Sequence, residues 1–206
     1  MIVSFDLFGT LVDAPRPADP AAAVARELAA RGIAVPADWP AAYATAHVEV
    51  EAGAELPLAE HVLAALASRG VDADFGRVGD AVRAAFAPDD VTVREGAPEA
   101  IAAASEHGPV AVCSNCSVPR LAERALSLAD LPAVDTVVTS VGCGWRKPDR
   151  RAFEAVVAPF DASLSDLIHV GDDPRTDGGI ADCGGEFVHV DEVSLPEFPD
   201  WLEGER

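Results

Sequence analysis

Lysine is almost missing from this chain: of fifteen basic residues one, Lys147, is a lysine, and the rest are arginines. Positive charge is scarce altogether, with 35 acidic residues set against those 15 and a formal net charge of −20. That balance argues against a nucleic-acid partner, whose phosphates would be repelled. Cysteine is sparse as well. Cys113, Cys116, Cys143 and Cys183 are too few in 206 residues for a disulfide scaffold. Cys113-Ser-Asn-Cys116 matches Cys-x-x-Cys, but no second pair stands at metal-site spacing, so packing as small buried apolar groups is the expected role of these thiols. No apolar run approaches the roughly 20 residues that cross a bilayer. The N-terminus opens directly on a strand-like run and not on a basic region with a leader. A cytoplasmic protein is expected, monomer or homodimer, with neither nucleic acid nor membrane as partner.

What is present is apolar and acidic. At 50% hydrophobic residues the chain can bury a proper core, enough for one domain with a large insertion or two small ones. An acidic, alanine-rich, lysine-poor surface is a composition of proteins adapted to high salt, where screening over about 3 Å at 1 M contains the self-repulsion.

Residues 2–13, Ile-Val-Ser-Phe-Asp-Leu-Phe-Gly-Thr-Leu-Val-Asp, organise the rest. Four largely apolar residues run into a carboxylate and then into Gly-Thr, which predicts a buried strand ending at Asp6. Parallel sheets covered on both faces carry their chemistry at that end of the strand. After Asp13 the run Ala-Pro-Arg-Pro-Ala-Asp-Pro breaks any helix. Helical periodicity then predicts four helices, at 21–31, 41–50, 58–68 and 75–86, each closed by Gly or Pro or by Arg-Gly. From Arg94 onward strands and helices alternate: helix to His107, strand 110–114, helix 119–128, strand 134–140, helix 151–157, strand 167–170, a short helix at 176–181 and a last strand at 186–190. Such alternation means right-handed crossovers and a parallel, doubly wound α/β sheet. The expected organisation is a core of residues 1–13 and 93–206 and an all-helical insertion at 14–92. The tail from Pro196 either docks Trp201 on the core or frays.

Four stretches carry a resemblance. Asp6-Leu-Phe-Gly-Thr-Leu-Val-Asp13, the strand 110–114 ending in Ser114-Asn115, Lys147-Pro148, and Leu167-Ile-His-Val-Gly-Asp-Asp-Pro-Arg-Thr-Asp177 resemble, in order and spacing, the four motifs of the haloacid dehalogenase superfamily. The resemblance implies a Rossmann-like core, a helical cap over the catalytic edge at 14–92, and Asp6 as a covalent nucleophile. It implies Ser114 and Lys147 as catalytic partners, the lysine steadying negative charge on the nucleophile and on the transferring group. Gly9, Thr10, Ser114, Asn115 and Lys147 would hold the substrate's phosphoryl oxygens.

Carboxylates gathered on one edge must be protonated or met by a cation. Hard oxygen donors favour Mg²⁺, shared with a substrate phosphate. By resemblance the ligands would be Asp6, the backbone carbonyl of Phe8 and Asp172, joined or backed by Asp173 or Asp177. The expected activity is therefore Mg²⁺-dependent release of phosphate from a small phosphorylated metabolite through an aspartyl-phosphate.

One position departs from the phosphatase pattern: the second Asp, acid to the leaving group and base to the water, is replaced by Phe8. Two alternatives follow. Dehalogenases of the superfamily have an aromatic residue there and need neither metal nor proton donor, but the Asp172, Asp173, Asp177 cluster would repel their carboxylate substrate. The other is a metal- or phosphate-binding member without turnover. Among cap residues with useful chemistry, Arg16, Trp39, His47 and His61 stand out equally.

Overall fold

The computed structural model describes residues 1–204. Along the chain run β1 (Ile2–Phe5), β2 (Val12–Asp13), α1 (Pro20–Ala30), α2 (Trp39–Ala44), α3 (Leu58–Ala67), α4 (Phe75–Phe86), β3 (Thr92–Val93), α5 (Ala97–His107), β4 (Val110–Ser114), α6 (Leu121–Ala129), β5 (Thr136–Thr139), α7 (Ser140–Cys143), α8 (Arg150–Val157), β6 (Leu167–Gly171), α9 (Gly179–Asp182), β7 (Glu186–His189) and α10 (Phe198–Gly204). Five strands form one sheet in the order β5-β4-β1-β6-β7. Every pairing in it is parallel. This is the doubly wound, Rossmann-like α/β fold that the alternation predicts.

The central strands are apolar on both faces because helices cover both. Val3, Phe5, Val110 and Val112 point into a core shared with α5, α6 and α10. Their neighbours Ile2, Ala111 and Cys113 point the other way, onto Phe153 and Val156 of α8 and Ile180 of α9. The strand period of two thus divides one run of side chains between two cores. Phe198 of α10 meets Phe5 edge-on at 5.6 Å and Trp201 stacks on Phe198, so the C-terminal segment docks on the sheet.

α1 to α4 form an all-helical insertion between β2 and β3. Asp19 accepts a hydrogen bond from Ala22 N and Asp74 one from Arg77 N, capping α1 and α4 at donors that would otherwise be orphaned. Val24, Leu28, Val62, Leu66, Val78 and Val82 make the insertion's own core, which continues into Cys116 and Val118 just beyond β4. The helix expected at 41–50 is instead α2: it starts two residues earlier and stops at Ala44. Thr45 Oγ1 donates to Ala41 O and the His47 ring bonds Ala42 O, so side chains take the last-turn carbonyls while Thr45 is already extended.

Two ties fix the insertion to the sheet. β2 and β3 pair antiparallel, Val12 with Val93, as a ribbon too short to show any periodicity. The second tie is at the loop before α3. There Glu55 N donates to Gly144 O, Arg146 N donates to Gly53 O, and the buried Glu55 carboxylate accepts from Ser140 Oγ and from Arg146 Nη1 at 2.7 Å.

Candidate active site

Topology brings the candidate residues together. β1 carries Asp6 one position past its end, where Asp6 N still donates to Val170 O at 2.8 Å. The register pairs Ser4 with both Ala111 and His169, so the ends of β4 and β6 lie on either side of Asp6. Ser114 closes β4, buried, and Asp172 follows β6 directly. Carboxyl ends of adjacent parallel strands are where α/β sheets place ligands.

Lys147 enters from the loop after α7, and its backbone is held at both ends by one side chain. Asn115 Nδ2 donates to Lys147 O at 2.9 Å and Lys147 N donates to Asn115 Oδ1 at 2.8 Å. The ammonium is 3% exposed and its three donors are all used: Asp6 Oδ1 at 2.8 Å, Asp177 Oδ1 at 2.6 Å and Cys113 O at 2.5 Å. Burial alone would pull the Lys147 ammonium down, but Asp6 and then Asp177 hold it above its ordinary value. Burial lifts the Asp6 carboxyl to about 6, against the pull of Lys147 and with a further push from Asp177. Asp6 sits against a fixed cation that favours its ionised form, the form a carboxylate nucleophile requires.

Behind the lysine stands a group that sequence reasoning missed. His169, fully buried, contacts Ser4 Oγ through Nδ1 at 2.7 Å and Asp177 Oδ1 through Nε2 at 3.2 Å. Burial and then Lys147 push its pKa down to about 4, so the ring is neutral. Nε2 also lies 3.3 Å from Lys147 Nζ, so one ring nitrogen faces both the buried cation and its carboxylate partner. The available signal was a polar residue inside each of two apolar runs, Ile-Val-Ser-Phe and Leu-Ile-His-Val.

The four acidic residues have distinct surroundings. Asp177 is buried, bonded to Lys147 and His169, and accepts from Asp173 N at 3.0 Å; burial would raise its carboxyl, but these partners bring it below the usual range. Asp173 pairs with the exposed Arg175 at 3.0 Å. Asp172 has no cationic partner among the described residues and accepts only from Thr10 Oγ1, at 3.3 Å, so Thr10 is turned to a carboxylate here and not to an open oxyanion position. Gly9 permits this approach. Its φ is +98°, and a Cβ there would lie 2.5 Å from Asp172 Oδ2. Among the described residues no three His, Cys, Asp or Glu side chains group closely enough to hold a metal by themselves. Asp6 and Phe8, in the loop after β1, and Asp172, after β6, line one cavity, and the oxygen chemistry of the two carboxylates is of the kind that suits an ion keeping several waters.

A cavity of about 300 Å³ joins Asp6, Ser114, Asn115, Lys147, Asp172 and Asp177. Of the four insertion residues singled out, Arg16 borders it, its guanidinium 5.8 Å from the Phe8 ring centre. The other three serve the insertion internally: Trp39 Nε1 donates to Ala21 O, His61 bonds Tyr43 O and His47 bonds Ala42 O. Cys113 is inert, its thiol pushed up to about 12 by burial. No helix among the described residues is long and apolar enough to cross a membrane.

A model of the haloacid dehalogenase-like hydrolases matches residues 1–184. No curated protein sequence matches. Solved structures do, over most of both chains. A 2-haloacid dehalogenase from Pseudomonas syringae pv. Tomato DC3000 is 19% identical, with a TM-score of 0.66 over 100% of this chain and 99% of its own. A predicted phosphoglycolate phosphatase from Haemophilus somnus 129PT is 14% identical, with a TM-score of 0.58 over 100% and 97%. A magnesium-bound hydrolase from Bacillus subtilis is 18% identical, with a TM-score of 0.52 over 90% and 84%. Identities this low speak for the shared fold and leave the reaction open.

Proposed function

This chain belongs to the haloacid dehalogenase-like hydrolases, and from that premise we propose that it is a Mg²⁺-dependent phosphatase of small phosphorylated metabolites, acting through Asp6. The observation that carries this reading is a charge imbalance. Asp6, Asp172 and Asp177 line one cavity with a single ammonium, Lys147, already bonded to two of them; the other basic residues at its border are Arg16, at the rim, and Arg146, paired with Glu55. Asp172, exposed and without a cation beside the buried Asp6, leaves a place for one. Asp6, the Phe8 carbonyl and Asp172 would hold Mg²⁺, which supplies charge to bring an anionic phosphate against an anionic nucleophile.

The chain's own residues then divide the work. Asp6 attacks phosphorus and the bond to the leaving group breaks, its electron pair departing with that group. Lys147 keeps Asp6 ionised and oriented, and is itself positioned by Asn115, Asp177 and His169. Ser114 offers a hydroxyl to the phosphoryl oxygens from the end of β4. Water then cleaves the aspartyl-phosphate. Asp173 and Asp177 act behind the ligands in this reading, since Arg175 and Lys147 engage them. The insertion serves as a cap over the edge, on a core of residues 1–13 and 93–206. The setting is the cytoplasm of a cell with a high internal salt concentration.

Phosphate release from a broad ester panel tests the proposal: it should require Mg²⁺ and vanish in Asp6→Asn. Release that survives this substitution contradicts it. A second reading, hydrolytic dehalogenation, rests on Phe8, since a halide needs no proton. Halide release from 2-haloacids in EDTA would favour that reading.

A further inference from the structure

Phe8, Arg16, Asn115 and Arg146 belong to two cavities at once. One is the carboxylate cavity already described. The other, of about 350 Å³, opens between the loop after β2, the insertion helices and the segment beyond β4. Its walls are Phe8, Tyr43, Leu58, Phe86, Val118 and Leu121, and no carboxylate lines it. In a chain of charge −20 a carboxylate-free chamber adjoining an acid-rich one is a marked change of medium. Because the two share a border, a molecule at Asp6 long enough to pass Phe8 would meet ring and alkyl surface.

We propose that this chamber holds the leaving group, and that the leaving group is a single-ring phenol: the substrate class is an aryl phosphate monoester. The inference rests on the reading of Asp6 as phosphoryl acceptor, and a chemical and a geometric argument meet in it. Phe8 has no proton to give, so the oxygen departs as an anion. A phenolate, with a pKa of about 10 as in tyrosine, departs far more readily than an alkoxide, close to water at about 15.7. The chamber's volume lies at the low end of small-molecule sites, which run from about 300 to 1,000 Å³. Aromatic and branched walls of that size suit one ring.

The balance is simple. An Asp6 oxygen bonds to phosphorus as the aryl oxygen leaves with the bonding pair, and the phenolate takes its proton from solvent after release. Water then breaks the Asp6–phosphorus bond, giving phosphate and a proton. Arg16, over the Phe8 ring and without a carboxylate partner among the described residues, puts positive charge at the border that the departing pair crosses.

The test separates this inference from the reading beneath it. Calorimetric titration with phenylphosphonate and methylphosphonate, both in Mg²⁺, compares the same anion with and without a ring. The phenyl compound should bind at least about tenfold more tightly, from the apolar area it buries. Leu58→Trp and, independently, Leu121→Trp fill the chamber from two walls, and in whichever variant melts cooperatively that advantage should fall below about threefold. Equal binding of the two phosphonates by the wild type, or an advantage kept in both filled variants, overturns the proposal. Acetyl phosphate needs neither a proton donor nor the chamber. Its Mg²⁺-dependent hydrolysis alongside equal phosphonate binding would refute the aryl assignment alone, whereas failure to hydrolyse both acetyl and phenyl phosphate would refute the Asp6 reading with it.

Discussion

At the carboxyl edge of the sheet nearly every polar side chain is engaged by another, whereas the wall facing it from the helical insertion is mostly ring and alkyl surface. Lys147 alone holds Asp6, Asp177 and the Cys113 carbonyl, with Asn115 bracketing its backbone and His169 against its ammonium. Tyr43, Leu58 and Phe86 offer only a phenol among them, and burial raises the pKa of that phenol. Precision is needed where charge develops, because a misplaced dipole cannot reorganise during the reaction. Apolar fit tolerates substitution. In the reading proposed above, the edge sets the reaction and the insertion sets what is brought to it.

The largest effect that could break this contrast is at Lys147. Lys147→Met leaves Asp6 and Asp177 buried without their cation, and loss of one partner of a buried pair costs about 3–5 kcal/mol. Turnover should disappear as the melting midpoint falls. A variant as stable as wild type would show that the edge is not the tight network described here.

Next is Phe8, where the two regions meet. Without a proton donor, rates on phosphate esters should depend steeply on leaving-group pKa, and Phe8→Asp should raise alkyl-ester rates by up to about 10²–10⁴-fold. The backbone carbonyl is untouched by this change. A shallow dependence in the wild type would mean that a proton already comes from the insertion, with Tyr43 the first residue to test.

Smaller changes separate the regions by stability alone. Leu66→Ala in the insertion core and Phe198→Ala under the sheet should each cost about 2–5 kcal/mol. Both residues are fully buried and neither borders either cavity. Denaturant midpoints should fall in both variants while kcat/KM of the folded fraction holds. The least effect is from salt: raising KCl from about 0.1 M to above 1 M shortens the screening length from about 10 Å to 3 Å. Thermal midpoints should climb if the acidity is an adaptation to brine, and flat midpoints would remove that idea.

The edge was more legible than the insertion for the same physical reason. A buried parallel strand is mostly apolar until it ends, so Asp6, Ser114 and Asp172 announced themselves as polar residues closing or following such runs. Lys147 stood out by rarity. What supports them did not: His169 and Ser4 are single polar residues inside strands, and their partnership exists only once β1 and β6 are paired. The same holds for Glu55, whose bonds to Ser140 and Arg146 join residues far apart in sequence. The β2–β3 ribbon is two residues a side, below the reach of any periodicity. Asn115, expected at the substrate, proved to be the bracket of the Lys147 backbone while also lining both cavities.

The most direct test of the central claim is to catch the covalent intermediate. Wild-type protein mixed with Mg²⁺ and phenyl phosphate, quenched in acid during turnover and digested, should carry one phosphoryl group on the N-terminal peptide, at Asp6, and Asp6→Asn should carry none. Turnover of phosphate esters with no phosphoryl group at Asp6 would contradict the account.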